Sequence, residues 1–206
     1  MTSSSTQGIK TVLHPVSDLA KAKPVYTALL GVEPTADAPY YVGYDTAGQH
    51  IGLVPNGGPQ GMTSPVAYWH VADIEAKLAE VTAAGATLKD PVRDVGGGRL
   101  VAAVTDLAKA KPVYAALLGV EPSADAPYYV GFDAAGQHIG LVPGGGPQGM
   151  TSPVAYWHVP DIEAKLAEVT AAGATLKDPV RDVGGGRLVA TVTDPDGNVL
   201  GLLQDR

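Results

Sequence analysis

Five histidines, His14, His50, His70, His138 and His158, are the only imidazoles in this chain, and it has no cysteine. Thiolate nucleophiles, disulfides and Cys-ligated metals are therefore excluded, and any acid–base or metal chemistry must run through histidine, carboxylate and tyrosine. His50 and His70, with neighbouring Tyr68, are of the types that bind a metal or move a proton, and the same set returns as His138, Tyr156 and His158. No nearby glutamate supplies an obvious third ligand. Strand histidines are more often partly buried and hydrogen-bonded than reactive, so these six residues are taken as ligand-binding candidates, with no catalytic residue and no metal ligand assigned.

A second set is aromatic: Tyr40, Tyr41, Tyr44, Tyr68 and Trp69, returning as Tyr128, Tyr129, Phe132, Tyr156 and Trp157. Lining a cup, such rings and hydroxyls would suit a flat, partly polar organic molecule; packed inward, they would simply supply core area to strands. The triplets Gly96-Gly97-Gly98 and Gly184-Gly185-Gly186 precede strands rather than helices and lack a following Lys-Ser/Thr. They read as turns, not phosphate loops.

The elements that must position these residues come from a duplication. Residues 19–106 recur as 107–194 at a constant offset of 88, and only seven pairs differ: Thr27/Ala115, Thr35/Ser123, Tyr44/Phe132, Thr46/Ala134, Asn56/Gly144, Ala72/Pro160 and Ala103/Thr191. Within a copy, IKTVLHPV reads as a strand and Asp18 as the N-cap of LAKAKPVYTALLG, which Pro24 should kink or delay. VEPTADA, PYYVGYDTA and QHIGLVPN read as short strands, PVAYWHV as another, and Asp73 caps the helix IEAKLAEVTAAG. ATLKDPVRDV and GRLVAAVTD complete the pattern. The second copy alone continues through Pro195-Asp196-Gly197-Asn198 into a last strand, NVLGLLQ. The result is an α+β chain of paired βαβββ modules with about 14 strands and four helices, two strands short of two intact domains.

Residues 1–8 read as a disordered leader, 9–106 as a first unit lacking its last strand, and 107–206 as a second unit whose first strand comes from 98–106 or by exchange. Three arrangements stay open: a shared strand at 98–106, the N-terminal module (about 9–62) paired with the C-terminal one (about 151–206) with the middle left as a second cup, or exchange between two chains. The acidic balance, −7 at neutral pH, opposes a nucleic-acid partner. The leader has no apolar core of a signal peptide and no apolar run reaches membrane-spanning length, so a cytoplasmic protein without membrane attachment is expected.

The helix entry VSDLAKAKPVYTALLG, the segment PVAYWHVADIEAKLAEVTAAGA and the ending GRLVATVTDPDGNVLGLLQ resemble the vicinal oxygen chelate superfamily of glyoxalases, extradiol dioxygenases and bleomycin-resistance proteins. In its metal-dependent members the resemblance implies four His, Gln or Glu ligands projecting into a cup. Those positions fall here on Thr11, Gly52, Val66 and Gly201, and in the other copy on Arg99, Gly140 and Val154, none a good ligand for a divalent ion. Alternation from those positions turns His50, Tyr68 and His70 toward the cup, and His14 and Trp69 away.

The expected function is a metal-independent binder of a small organic molecule, bleomycin-resistance-like and without a cofactor, with a homodimer formed by strand or module exchange as a further expectation. Near identity of the copies is equally what a recent or deliberate duplication leaves, so an engineered or recombined chain whose point is architecture stands beside that reading. The alternative is a lyase or isomerase of the glyoxalase or dioxygenase kind, with relocated metal ligands or histidine acid–base chemistry.

Overall fold

Capping at Asp18 starts the first helix, α1 (Leu19–Leu30): the carboxylate accepts from the Ala20 and Lys21 amides, and Gly31, at φ 67°, closes the far end by donating to the Thr27 carbonyl. Pro24 lies inside the helix, which starts at Leu19 and is not delayed. Proline removes only the bond to the Ala20 carbonyl, while Ala22, Val25, Tyr26 and Leu29 bury one face and hold the helix continuous. Asp73 and Asp161 cap α2 (Ile74–Ala83) and α4 (Ile162–Ala171) in the same way, and α3 (Ala110–Leu118) repeats the α1 sequence.

The computed structural model describes residues 6–95, 99–105 and 110–206. The first five residues of the expected leader, the turn at Gly96-Gly97-Gly98 and the junction residue Asp106 lie outside the described residues. Fourteen strands accompany the four helices among the described residues, as expected: β1 (Thr6–Val16), β2 (Ala36–Ala38), β3 (Tyr41–Thr46), β4 (Gln49–Pro55), β5 (Val66–Val71), β6 (Thr87–Asp94) and β7 (Leu100–Thr105), then β8 (Ala124–Ala126), β9 (Tyr129–Ala134), β10 (Gln137–Leu141), β11 (Ala155–His158), β12 (Thr175–Asp182), β13 (Arg187–Thr193) and β14 (Val199–Asp205). β1 starts at Thr6, where the threonine hydroxyl donates to the His70 carbonyl. Gly184, Gly185 and Gly186, all at positive φ, form the turn expected between β12 and β13.

The chain divides into two compact units. The terminal unit joins Lys10–Tyr68 to Met150–Arg206, so the first and last modules fold together, one of the three arrangements left open above. The sheet that holds its N-terminal strands is five-stranded, in the order β2-β3-β4-β1-β5, with β1 parallel to β4 in the register Thr11↔His50 through Val16↔Pro55. Its C-terminal sheet is ordered β11-β14-β13-β12. Helices α1 and α4 pack together, and Lys165 Nζ donates to the Ala28 carbonyl at 2.8 Å.

The turn before β14 is tied into this unit by the buried Asp194. Its carboxylate accepts from the Asp196 and Asn198 amides, from the Asn198 side chain at 2.8 Å and from the Tyr26 hydroxyl at 3.1 Å. Asn198 Nδ2 also donates to the Pro15 carbonyl at 2.7 Å. Burial raises the Asp194 carboxyl above its ordinary pKa, against the pull of the Asn198 bonds.

The central unit joins Met1–Ile9 to Trp69–Gly149 and repeats the same helix pairing with α2 and α3, where Lys77 Nζ donates to the Ala116 carbonyl at 2.9 Å. Val81, Ala86 and Val113 form one core cluster, and Leu118, Phe132 and Ala134, packed by Trp69, another. Its strands form a two-stranded sheet, β6-β7, and a three-stranded one, β10-β9-β8. Residues 100–105 thus serve as the seventh strand of the first copy. Among the described residues no helix is long and apolar enough to cross a membrane.

Candidate functional site

Two sheet faces carry the chemistry, and a tight hairpin builds each one. Between β3 and β4 the loop is Ala47 and Gly48, both at positive φ, which sets Thr46 opposite Gln49 and Asp45 opposite His50. Tyr44 and Ile51 are buried on the face toward α1, where the Tyr44 hydroxyl donates to the Lys23 carbonyl at 3.1 Å. Alternation therefore puts Tyr41, Gly43, Asp45, His50 and Gly52 together on the opposite face.

There they form a chain of hydrogen bonds. Thr35 Oγ1 donates to Asp45 Oδ2 at 2.6 Å, Asp45 Oδ1 lies 2.7 Å from His50 Nδ1, and His50 Nε2 bonds the Tyr41 hydroxyl. A carboxylate only accepts, so Nδ1 carries the proton, and Nε2 of the neutral ring accepts from the phenol. The planes of the two rings are nearly parallel, 14° apart, with centroids 5.9 Å from each other. The Thr35 hydroxyl, then His50, hold the Asp45 carboxyl below its ordinary pKa.

The central unit repeats the arrangement. His138 Nδ1 lies 2.6 Å from Asp133 Oδ1, His138 Nε2 bonds the Tyr129 hydroxyl, and Ser123 and then His138 lower the Asp133 carboxyl. The threonine-to-serine difference between the copies thus keeps the hydroxyl. The His138 side chain is 41% exposed against 25% for His50. The two strands also differ in their neighbours: β4 is flanked by β1, whereas among the described strands β10 ends its sheet, with the Gln137 side chain bound to the Ile9 backbone at 2.7 and 3.3 Å.

Glycines make room for these rings. A Cβ on Gly43 would come 2.9 Å from both Tyr41 Cε1 and His50 Cε1, and one on Gly52 2.6 Å from Leu13 Cδ2 and 2.8 Å from Tyr41 Cε2. On the other sheet of the terminal unit, the Tyr156 ring covers Gly201, whose Cβ would meet Tyr156 Cγ at 2.6 Å. Gly52 and Gly201 are two of the four positions to which the superfamily resemblance assigns metal ligands. Their side-chain space is filled by tyrosine, and Thr11 and Val66 offer one hydroxyl between them. The residues at these positions do not fit a divalent ion, and among the described residues no group of three or more His, Asp and Glu is placed to hold one.

The six ligand-binding candidates are distributed as follows. His50 and His138 each sit in a Tyr–His–Asp chain. Tyr68 is half-buried on β5 within the terminal unit, whereas His70, two residues on, belongs to the central unit, exposed, with Nδ1 3.1 Å from Gln7 Oε1. Tyr156 packs over Gly201, and burial raises its phenol pKa. His158 is exposed beside Asp205 at 3.2 Å, a carboxylate that also accepts from Arg187 Nε at 2.7 Å. The units therefore separate His50 from His70, and His138 from Tyr156 and His158. His14 points to the α1 side, as alternation requires, with its ring 5.1 Å from that of Tyr26.

Sequence reasoning named Tyr41 and Tyr129 only within the aromatic set, and missed Asp45 and Thr35 and their counterparts Asp133 and Ser123. The two-residue hairpin loop was the available signal, because it alone sets aspartate opposite histidine.

A sequence model of the Glyoxalase/Bleomycin resistance protein/Dioxygenase superfamily matches residues 8–106 and again 98–202. Among solved structures, the chain is similar to an Mn(II)-bound glyoxalase from Novosphingobium aromaticivorans, at 14% identity over 98% of this chain and 83% of that one, with a TM-score of 0.67. It also matches a glyoxalase-related enzyme from Fulvimarina pelagi (13% identity, 97% and 88% covered, TM-score 0.47). A further match is a glyoxalase/bleomycin resistance protein/dioxygenase family enzyme from Burkholderia phytofirmans PsJN (12%, 96% and 98%, TM-score 0.47). No curated protein matches the chain. At such identities the likeness speaks for the fold alone, and the sequence model, met twice in succession, speaks for the family: the chain belongs to the Glyoxalase/Bleomycin resistance protein/Dioxygenase superfamily as a tandem duplication.

Proposed function

We propose that this protein binds a small, flat, partly polar organic molecule without a metal ion, on the sheet faces built around Tyr41–His50–Asp45 and Tyr129–His138–Asp133. The observation that supports this reading is the tyrosine seated over Gly52 and Gly140, where the superfamily resemblance would place a metal ligand. Each face offers an aromatic edge, an imidazole and a carboxylate in fixed relation over a floor of glycine backbone, which suits planar recognition. The test is a fluorescence or calorimetric titration with a panel of planar heteroaromatic compounds, with and without chelator. Chelator-insensitive binding, weakened when Tyr41→Phe and Tyr129→Phe are combined, is expected. A requirement for added divalent ion would overturn the reading.

The same hydrogen-bond chain favours a second reading, proton transfer on a bound substrate. With Asp45 fixing the tautomer, His50 is set to take a proton at Nε2 through the Tyr41 hydroxyl. Solvent-deuterium exchange into a bound carbon acid, abolished by His50→Gln together with His138→Gln, would distinguish this from plain binding.

A further inference from the structure

We propose that the long edge of β7 facing away from β6 is an acceptor for an extended polypeptide strand with the chemistry of β14, supplied by a partner chain. The evidence is an internal control. β6 and β12 are identical in sequence, residues 100–105 and 188–193 differ only at Ala103/Thr191, and the two pairs run antiparallel in the same register with the same two irregularities. At its other edge β13 is covered by β14, from Leu188↔Gln204 to Thr193↔Val199. Among the described residues β7 pairs with β6 alone.

The consequence is local to that edge. Leu100 is 50% exposed where Leu188 is 7%, and Val104 is 37% exposed where Val192 is fully buried. Leu88 and Leu176, on the strands farther from the edge, are nearly equally exposed in both units. Helix α2 registers the gap too: Ile162 of α4 is buried, whereas its counterpart Ile74 is half-exposed. A strand edge with apolar side chains on view is a template for another strand, whose main-chain groups supply affinity and whose alternate side chains supply specificity.

β14 defines what would fit. It is a short apolar strand, VLGLLQD, with a glycine opposite Thr191 and a C-terminal aspartate that accepts from Arg187. Arg99, the counterpart of Arg187, is exposed at the start of β7, so a donor ending in a carboxylate is matched in charge. A second copy of this chain does not meet the need. Among the described residues each chain has two acceptor edges of this kind, β7 and β13, and one donor, β14, so exchange between copies leaves one acceptor open per chain.

The test adds a synthetic peptide of residues 198–206 to the full-length protein and reads binding by fluorescence anisotropy and backbone amide exchange. Saturable one-to-one binding is expected, with exchange slowed by about 10-fold or more at 100–105 and unchanged at 188–193. The Ala103/Thr191 difference lets the two segments be told apart by mass. The same peptide carrying Leu200→Pro and Leu202→Pro should not bind, and Leu100→Glu with Val104→Glu in the protein, both at exposed positions, should abolish binding without unfolding it. Four results would overturn the proposal: equal binding of the proline peptide, protection at 188–193 instead, no protection, or protection of β7 in the absence of peptide with a dimer in light scattering.

Discussion

Thr27 Oγ1 and the Tyr44 hydroxyl lie 3.3 Å apart, and the same two positions in the other copy are Ala115 and Phe132. Two of the seven differences between the copies therefore fall on one contact, and both hydroxyls are lost together. Tyr44 is fully buried and also donates to the Lys23 carbonyl, so removing its hydroxyl alone takes a bond from each of two groups. Tyr44→Phe should cost about 1 kcal/mol of stability. Adding Thr27→Ala should recover part of it, with a coupling of roughly 0.5–1 kcal/mol in a double-mutant cycle read by urea denaturation. Strict additivity would show that the pair does not interact.

His14 is buried with neither ring nitrogen hydrogen-bonded among the described residues, and burial lowers its pKa from 6.5 to about 3. The folded state therefore stays neutral where the unfolded chain takes up a proton. This contribution is present above pH 6.5 and is lost on acidification toward pH 3, at up to roughly 1.4 kcal/mol per pH unit. His14→Phe, with no nitrogen to satisfy, should raise stability at pH 7 by about 1–3 kcal/mol and flatten the acid limb. Thermal unfolding from pH 7 to pH 4 would measure both, and an unchanged limb would count against the assignment.

Restoring a carboxylate at a superfamily ligand position should not restore metal binding. Gly52→Glu drives a side chain into Tyr41 and Leu13, and Gly201→Glu drives one into Tyr156. Each should destabilise the terminal unit by about 1–3 kcal/mol, as overpacking does. Elemental analysis of the purified variants is expected to find no stoichiometric divalent ion. A bound ion would show that the tyrosines yield.

The lowered Asp45 carboxyl can be traced to its partners by carboxyl-carbon NMR titration. Its bonds form fully above the ordinary value of 3.8 and are lost as pH falls through the lowered one. Since the Thr35 hydroxyl is the largest cause, Thr35→Ala should raise the Asp45 pKa more than His50→Gln does. The order should repeat with Ser123→Ala and His138→Gln at Asp133. The reverse order would place the histidine first.

Much of the fold was legible because its signals are local. Asp18, Asp73 and Asp161 announce helices by offering a carboxylate to unsatisfied amides, and alternation turns His14 away from the cup, which is the α1 side. Pro24 misled because its penalty is also local, while the burial of Val25 and Tyr26 that outweighs it depends on strands distant in sequence. The site was half legible. His50 was singled out, but its companions Asp45 and Tyr41 become neighbours only through the β3–β4 register.

The sequence by itself determined the duplication, the module type and the family, all of which reside in residue identity and spacing. Tertiary structure alone decided that the first and last modules fold together, that His50 and His70 fall in different units, and that nearly the same strand has two partners as β13 and, among the described residues, one as β7. Identical local sequences carry identical propensities, but burial and pairing depend on which distant segment arrives alongside, and β14 arrives beside β13.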